Sequence, residues 1–176
     1  MGISLSSCYG DDVNAEDLSF LNPGMIFGSQ FEYGKNKIKG FTEISFVQKG
    51  YKVNWNLGTR LRTRINYLEL NTGVKYYLFK FLSVNSSAYL AYSFGGSFFY
   101  HFEPEGPECI SGLLPVDLGI KTVDLGACIG MAFHITNNAA FEMKYGFSVL
   151  PMAVDSKIYN SCLQTTFSYS FSLAKE

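Results

Sequence analysis

The segment YLELNTGVKYYLF at 67–79 alternates with a period of two. Leu68, Leu70, Val74, Tyr76 and Leu78 share one parity, and Glu69, Asn71, Gly73, Lys75 and Tyr77 share the other. Successive side chains of a β-strand point to opposite faces, so this stretch is a strand with one apolar and one polar face. A chain built from such units must bury the apolar face against another layer or turn it toward lipid.

The same alternation recurs along the sequence. A short first strand sets Ile3, Leu5 and Ser7 against Gly2, Ser4 and Ser6. At 25–34, Met25, Phe27, Phe31 and Tyr33 oppose Gly28, Gln30 and Glu32, after a Pro-Gly turn signal. At 38–50, Ile44 and Phe46 oppose Glu43 and Ser45. The segment 51–64 either extends its neighbouring strands or forms a structured loop. A long fifth strand at 84–102 sets Leu90, Tyr92, Phe94, Phe98 and Tyr100 against Asn85, Ser87, Ala91, Ser93 and Gly95. A sixth strand is expected at 114–134, its phase slipping at Val123–Asp124 as at a β-bulge. Strands at 139–150 and 162–173 complete the set, the former with Phe141, Met143, Tyr145 and Phe147 against Glu142, Lys144, Gly146 and Ser148.

The expected architecture is all-β: an eight-stranded antiparallel up-and-down transmembrane β-barrel, one domain over 1–176. Connections alternate between about four residues and longer ones, the pattern of periplasmic turns and outer loops, with both chain ends at the short-turn rim. Composition agrees: Phe 16, Tyr 12 and Gly 17 against Pro 5 favour strands. A net charge of -1 gives no reason to expect a nucleic-acid partner. No run of eighteen apolar residues exists, which excludes a transmembrane helix but says nothing against a barrel. The opening MGISLSSCYGDD lacks the basic start and apolar core of a secretion signal. The strand pattern favours a mature outer-membrane sequence with an added start Met over a cytoplasmic protein.

Periodicity alone does not say which face is outside. A soluble lipocalin-like carrier would turn Phe141, Met143, Tyr145 and Phe147 toward an apolar ligand. Size decides for the membrane form: a small barrel does not hold that many rings, whereas Gly, Ser, Asn and paired charges fit inside. Glu32, Glu43, Glu69, Lys75, Glu142 and Lys144 form the expected lumen charge network, with Lys75 and Lys144 pairing Glu69 or Glu142. Unpaired, each would cost several kcal/mol on the order of its desolvation penalty.

Five segments carry a resemblance: ISFVQKG at 44–50, YLELNTGVKYYL at 67–78, LAYSFGGSFF at 90–99, LGACIGMAF at 125–133 and AFEMKYGFSV at 140–149. In order and spacing they resemble the PorT-like outer-membrane β-barrel domain of Bacteroidota, over about 24–173. The resemblance implies an eight-stranded outer-membrane barrel. The sequence departs from that pattern at Asn71, where a proline is usual, in the first strand, and at its end, where Phe171 would be the last aromatic. The family's founding member is linked to secretion, and no residue here licenses transfer of that role.

Other residues constrain function further. Cys8, Cys109, Cys128 and Cys162 fit no metal or redox spacing. Cys8 and Cys162 fall at the same rim across the closing seam, where a disulfide is chemically permitted; the alternative is four free thiols. His101 and His134 fall at opposite ends, and no nucleophile-elbow motif occurs, so no enzyme and no cofactor are expected. Asp11, Asp12, Glu16 and Asp17 lack the order of a calcium loop. Arg60, Arg62 and Arg64 form a basic cluster at the loop rim that would suit contact with lipopolysaccharide; the alternative is a solvated strand extension. The expected protein is a monomeric outer-membrane barrel with a structural or loop-mediated binding role, its partners being the bilayer and an unidentified extracellular or periplasmic molecule. A narrow channel, a secretion accessory and the soluble carrier are the alternatives.

Overall fold

Alternation becomes strand throughout the computed structural model, which describes residues 1–11, 18–19, 22–34, 36–54, 60–102, 110–115, 122–136, 138–152 and 157–169. The strands are β1 (Gly2–Tyr9), β2 (Leu18–Ser19), β3 (Asn22–Tyr33), β4 (Ile38–Lys49), β5 (Lys52–Asn54), β6 (Arg60–Phe79), β7 (Leu82–Phe102), β8 (Ile110–Pro115), β9 (Val123–His134), β10 (Ala139–Ser148) and β11 (Tyr159–Tyr169). Eight of them close a ring through antiparallel neighbours: β1, β3, β4, β6, β7, β9, β10, β11 and back to β1. Closure removes the exposed sheet edges that lipid cannot satisfy. The short strands β2, β5 and β8 continue the sheet beyond the ring, β5 on β6 and β8 on β7. Segment 51–64 is therefore a strand extension, as far as it is described.

Burial alternates with the sequence pattern. β10 reads intermediate or exposed at Phe141, Met143, Tyr145 and Phe147, and buried at Glu142, Lys144, Gly146 and Ser148. Ile44, Leu68, Leu70, Val74, Leu90 and Ile129 are likewise exposed on the outside of the ring. The apolar side chains thus point outward, opposite to the soluble-carrier alternative. β10 has 10 residues, the length that a tilted strand needs to cross a bilayer. The fold is an eight-stranded transmembrane β-barrel, with lipid in the place that a second protein layer would otherwise fill.

Three expectations need correction. The sixth strand is two strands, β8 and β9, both paired with β7, and the phase slip at Val123 marks the start of β9 rather than a bulge. The Asn-Pro-Gly stretch is not a turn: Asn22, Pro23 and Gly24 pair with Ser6, Leu5 and Ser4 of β1. Pro23 precedes the β3–β4 ladder, which begins at Ile26, so its missing N–H breaks no bond on that side. A bulge does occur in β7, where Tyr67 faces Ser93 but Asn66 faces Gly95, leaving Phe94 extra. The register with β6 therefore shifts by one residue at that point.

This arrangement makes insertion depth measurable. Ile129→Lys, near the middle of β9, should cost roughly 2–4 kcal/mol in denaturant unfolding from lipid vesicles, and Phe147→Lys, nearer the rim, should cost less. Equal or absent costs at both sites would show that this face does not meet lipid.

Candidate functional site

The inward face carries the chemistry. Lys49 ends β4, and its Nζ lies 2.7 Å from Glu69 Oε2 of β6 and 3.3 Å from Asp124 Oδ2 of β9. The ammonium also stands over two rings, 4.0 Å from the centroid of Tyr89 and 5.3 Å from that of Tyr67. Asp124 accepts hydrogen bonds from Ser148 Oγ, from Asn160 Nδ2 at 3.2 Å and from Tyr89 Oη at 3.4 Å. Lys49, Glu69, Asp124, Tyr67 and Tyr89 are all buried. Six strands, β4, β6, β7, β9, β10 and β11, thus converge on one lysine, its two carboxylates and their donors. At such burial each ion pair needs its hydrogen-bonded surroundings to offset desolvation.

The other charges form layers toward the short-turn rim. Lys144 of β10 meets Glu43 of β4 across the lumen. Lys75 lies 2.6 Å from Glu32 and 4.0 Å from Glu142, and Glu142 accepts from Asn85 Nδ2 at 2.6 Å. Glu32 also accepts from Tyr77 Oη at 2.8 Å and pairs with Lys39 at 3.4 Å, closer to solvent. All six residues of the expected network lie on this inward face, and of the expected pairs Lys75 with Glu142 is present, at 4.0 Å, while the other partners differ. Glu69 takes Lys49, and Lys144 takes Glu43. Sequence reasoning missed Lys49 and Asp124. Both shared a parity with known lumen residues, Lys49 with Glu43 and Ser45, and Asp124 with Gly126 and Cys128. Each was hidden by its place at a strand end.

Apolar bulk fills the remaining space. Phe41, Val47, Ile65 and Tyr67 are almost fully buried inside the ring. Small neighbours make room for them: a Cβ on Gly126 would stand 2.6 Å from the Tyr89 ring and 2.1 Å from the Phe147 carbonyl oxygen. Lumen side chains therefore occupy the space through which a solute would pass.

Of the two readings of Cys8 and Cys162, a disulfide or free thiols, the structure has the second: both are free buried thiols, as is Cys128. Cys8 pairs with Asn160 and Cys162 with Ser6, so the two cysteines are diagonal neighbours across the seam. Diagonal positions stand about 7–8 Å apart, too far for a disulfide. Cys109, Asp12, Glu16, Asp17 and Phe171 lie outside the described residues. Asp11 pairs with Lys157 at 3.0 Å on the exposed long-loop rim. His134 accepts or shares a hydrogen bond with Ser83 Oγ at 3.0 Å and stacks on Tyr77. His101 is at the other end of the ring, opposite Arg60.

The basic cluster sits above the membrane part of β6. Arg60 opens the strand opposite Asn54 and His101, with its backbone alone described. Arg62 donates from Nε to Asn22 Oδ1 at 2.6 Å and from Nη2 to the Pro23 carbonyl at 3.0 Å. Arg64 Nη2 reaches the same carbonyl at 3.2 Å, and its Nε is buried without a hydrogen-bond partner. Lys52 pairs with Arg62 in the β5–β6 ladder. Among the described residues, no carboxylate pairs with Arg62 or Arg64. Two guanidinium groups held by one neutral carbonyl keep their positive charge available to an anion.

Two outcomes follow. Lys49→Met, which strands Glu69 and Asp124, should lower stability by roughly 3–5 kcal/mol in vesicle unfolding, and adding Glu69→Gln should recover part of that loss. A neutral effect would remove Lys49 from the centre of the network. In the folded barrel Cys8 and Cys162 should resist maleimide labelling as mapped by peptide mass, and label fully after boiling. Rapid labelling of either in the folded state would contradict their burial.

No protein-family model matches the sequence, and no curated protein matches it. Solved structures do. Ail, the attachment invasion locus protein of Yersinia pestis, in complex with the heparin analogue sucrose octasulfate, aligns at TM-score 0.54 and 12% identity, covering 96% of this chain and 93% of that one. Ail without that ligand aligns at TM-score 0.55 and 14% identity with the same coverage. Neisserial surface protein A aligns at TM-score 0.54 and 10% identity, again over 96% and 93%. At these identities the likeness is one of fold, and that fold is the small eight-stranded outer-membrane β-barrel.

Proposed function

We propose that this chain is a monomeric, non-catalytic barrel of the bacterial outer membrane that acts by binding at its long-loop rim, and that the partner there is an anionic sugar, foremost the phosphorylated core of lipopolysaccharide in its own leaflet. The observation that carries this reading is the convergence of Arg62 and Arg64 on the Pro23 carbonyl with no described acidic partner. The filled lumen supports it too, since a plugged barrel leaves its rims as the working surfaces. The Yersinia barrel of the same fold was solved in complex with a heparin analogue, sucrose octasulfate, which is in keeping with a polyanionic ligand. The segments that resemble the PorT-like family fall on β4, β6, β7, β9 and β10, and that affiliation stays part of the proposal. No geometry here favours a transfer of the secretion role.

The test is the double variant Arg62→Gln/Arg64→Gln, with folding checked by gel mobility of unheated and boiled samples. Loss of two cationic contacts should weaken binding to lipopolysaccharide-containing bilayers by roughly tenfold or more and lower the salt needed to elute the barrel from immobilised heparin. Unchanged binding by a normally folded variant would overturn the reading.

A further inference from the structure

The short-turn rim carries a groove that neither the plug nor the basic cluster uses. Its walls are Lys37, Tyr77, Leu78, Phe79, Lys80 and Phe81, around a space of about 540 Å³. Two turns build it. Tyr77 N–H donates to the Lys37 carbonyl at 2.8 Å, which ties the β6 end to the β3–β4 turn. His134 N–H donates to the Phe81 carbonyl at 2.8 Å, which anchors the β6–β7 turn to β9. The turn between β6 and β7 is only Lys80 and Phe81, so Phe79 and Phe81 are brought side by side. Their rings stack 5.4 Å apart and 7° from parallel.

Stacking does not bury these rings: Phe79 is 59% exposed and Phe81 58%. The groove borders the lipid-facing belt at Leu78, which shares the outward face of its strand with exposed Tyr76, while Tyr77 turns its hydroxyl inward to Glu32. Among the described residues, neither Lys37 nor Lys80 has an ion-pair partner, in contrast to Lys39, Lys49, Lys75 and Lys144 inside the ring. An apolar slot continuous with the acyl region and edged by two free ammonium groups is complementary to one kind of molecule. We propose that this groove binds an anionic phospholipid of the leaflet at the short-turn rim, its phosphate between Lys37 and Lys80 and its acyl chain along Leu78 and the Phe79–Phe81 stack. The site is independent of the anion-binding rim at the opposite end. It holds the barrel at a set height by fixing one headgroup at the base of β6 and β7.

The experiment is native mass spectrometry of the detergent-folded barrel titrated with phosphatidylglycerol or phosphatidylcholine. The wild type should retain one phosphatidylglycerol in preference to phosphatidylcholine, by up to about 30-fold for two lysines near the headgroup. Lys37→Glu/Lys80→Glu should abolish that preference, and Phe79→Ala/Phe81→Ala should shorten retention of both lipids. Both variants carry substitutions only at exposed positions in the turns and at the end of β6, and their folding is read from gel mobility. Equal retention of the two lipids by the wild type, or a preference that survives the lysine exchange, would overturn the site. Displacement of the lipid by an acidic periplasmic protein, with no lipid preference of its own, would also overturn it.

Discussion

The lumen of this barrel is packed closely enough that a buried charge has to be answered, and the Lys49 ammonium is answered twice, by Glu69 and Asp124. Those contacts span strands that are distant in sequence: Lys49 and Asp124 are 75 residues apart. Each strand supplies only part of the set, so the pairs form only when the ring has closed in the right register. A slip of one residue would turn Glu69 or Asp124 toward lipid, where a carboxylate is costly. Pairing inside and lipid outside therefore select the same register. The apolar belt says which face goes outward, and the ion pairs say which strands meet.

Volume links this core to the strand number. An eight-stranded ring has room for side chains and little else. Here that room goes to Ile26, Phe41, Val47, Ile65, Tyr67 and Tyr89 together with the charge layers, and many of the other buried positions are small or polar: Ala, Ser, Thr, Asn, Gln and Cys. Gly126 is the clearest instance, because the Tyr89 ring occupies the place of its missing side chain. A plug of this kind separates the two rims chemically. The long-loop rim presents guanidinium groups on a strand extension, and the short-turn rim presents stacked phenyl rings and lysines. Binding at either end needs no movement of the core.

Much of this was legible in the sequence because alternation is local. The faces of β6, β9 and β10 follow from parity alone, and so does the inward placement of Glu43, Glu69, Lys75, Glu142 and Lys144. Partner choice was legible only in part, in Lys75 with Glu142, because it depends on closure and register between strands far apart. Lys144 was expected beside Glu69 or Glu142 but meets Glu43 of a strand on the other side of the ring. Cys8 and Cys162 were expected as neighbours at the seam, yet a two-residue offset in the β1–β11 ladder keeps them apart. Local signals also misled where tertiary pairing overrode them. Asn-Pro-Gly carries turn chemistry, but pairing with β1 draws it into β3, where the Pro23 carbonyl becomes the acceptor for two arginines. The bulge at Phe94 has no signature beyond the two glycines that follow it.

A barrel held together by a filled, ion-paired lumen differs from a pore in one directly observable property, its passage of ions. The most direct measurement is the current across a planar bilayer containing the refolded protein, recorded in symmetric potassium chloride over a range of voltages. The plugged lumen predicts no steady conductance above that of the bare bilayer. Stable, stepwise currents from the wild-type barrel would contradict it, because they require a continuous aqueous path past Lys49, Tyr67 and Tyr89.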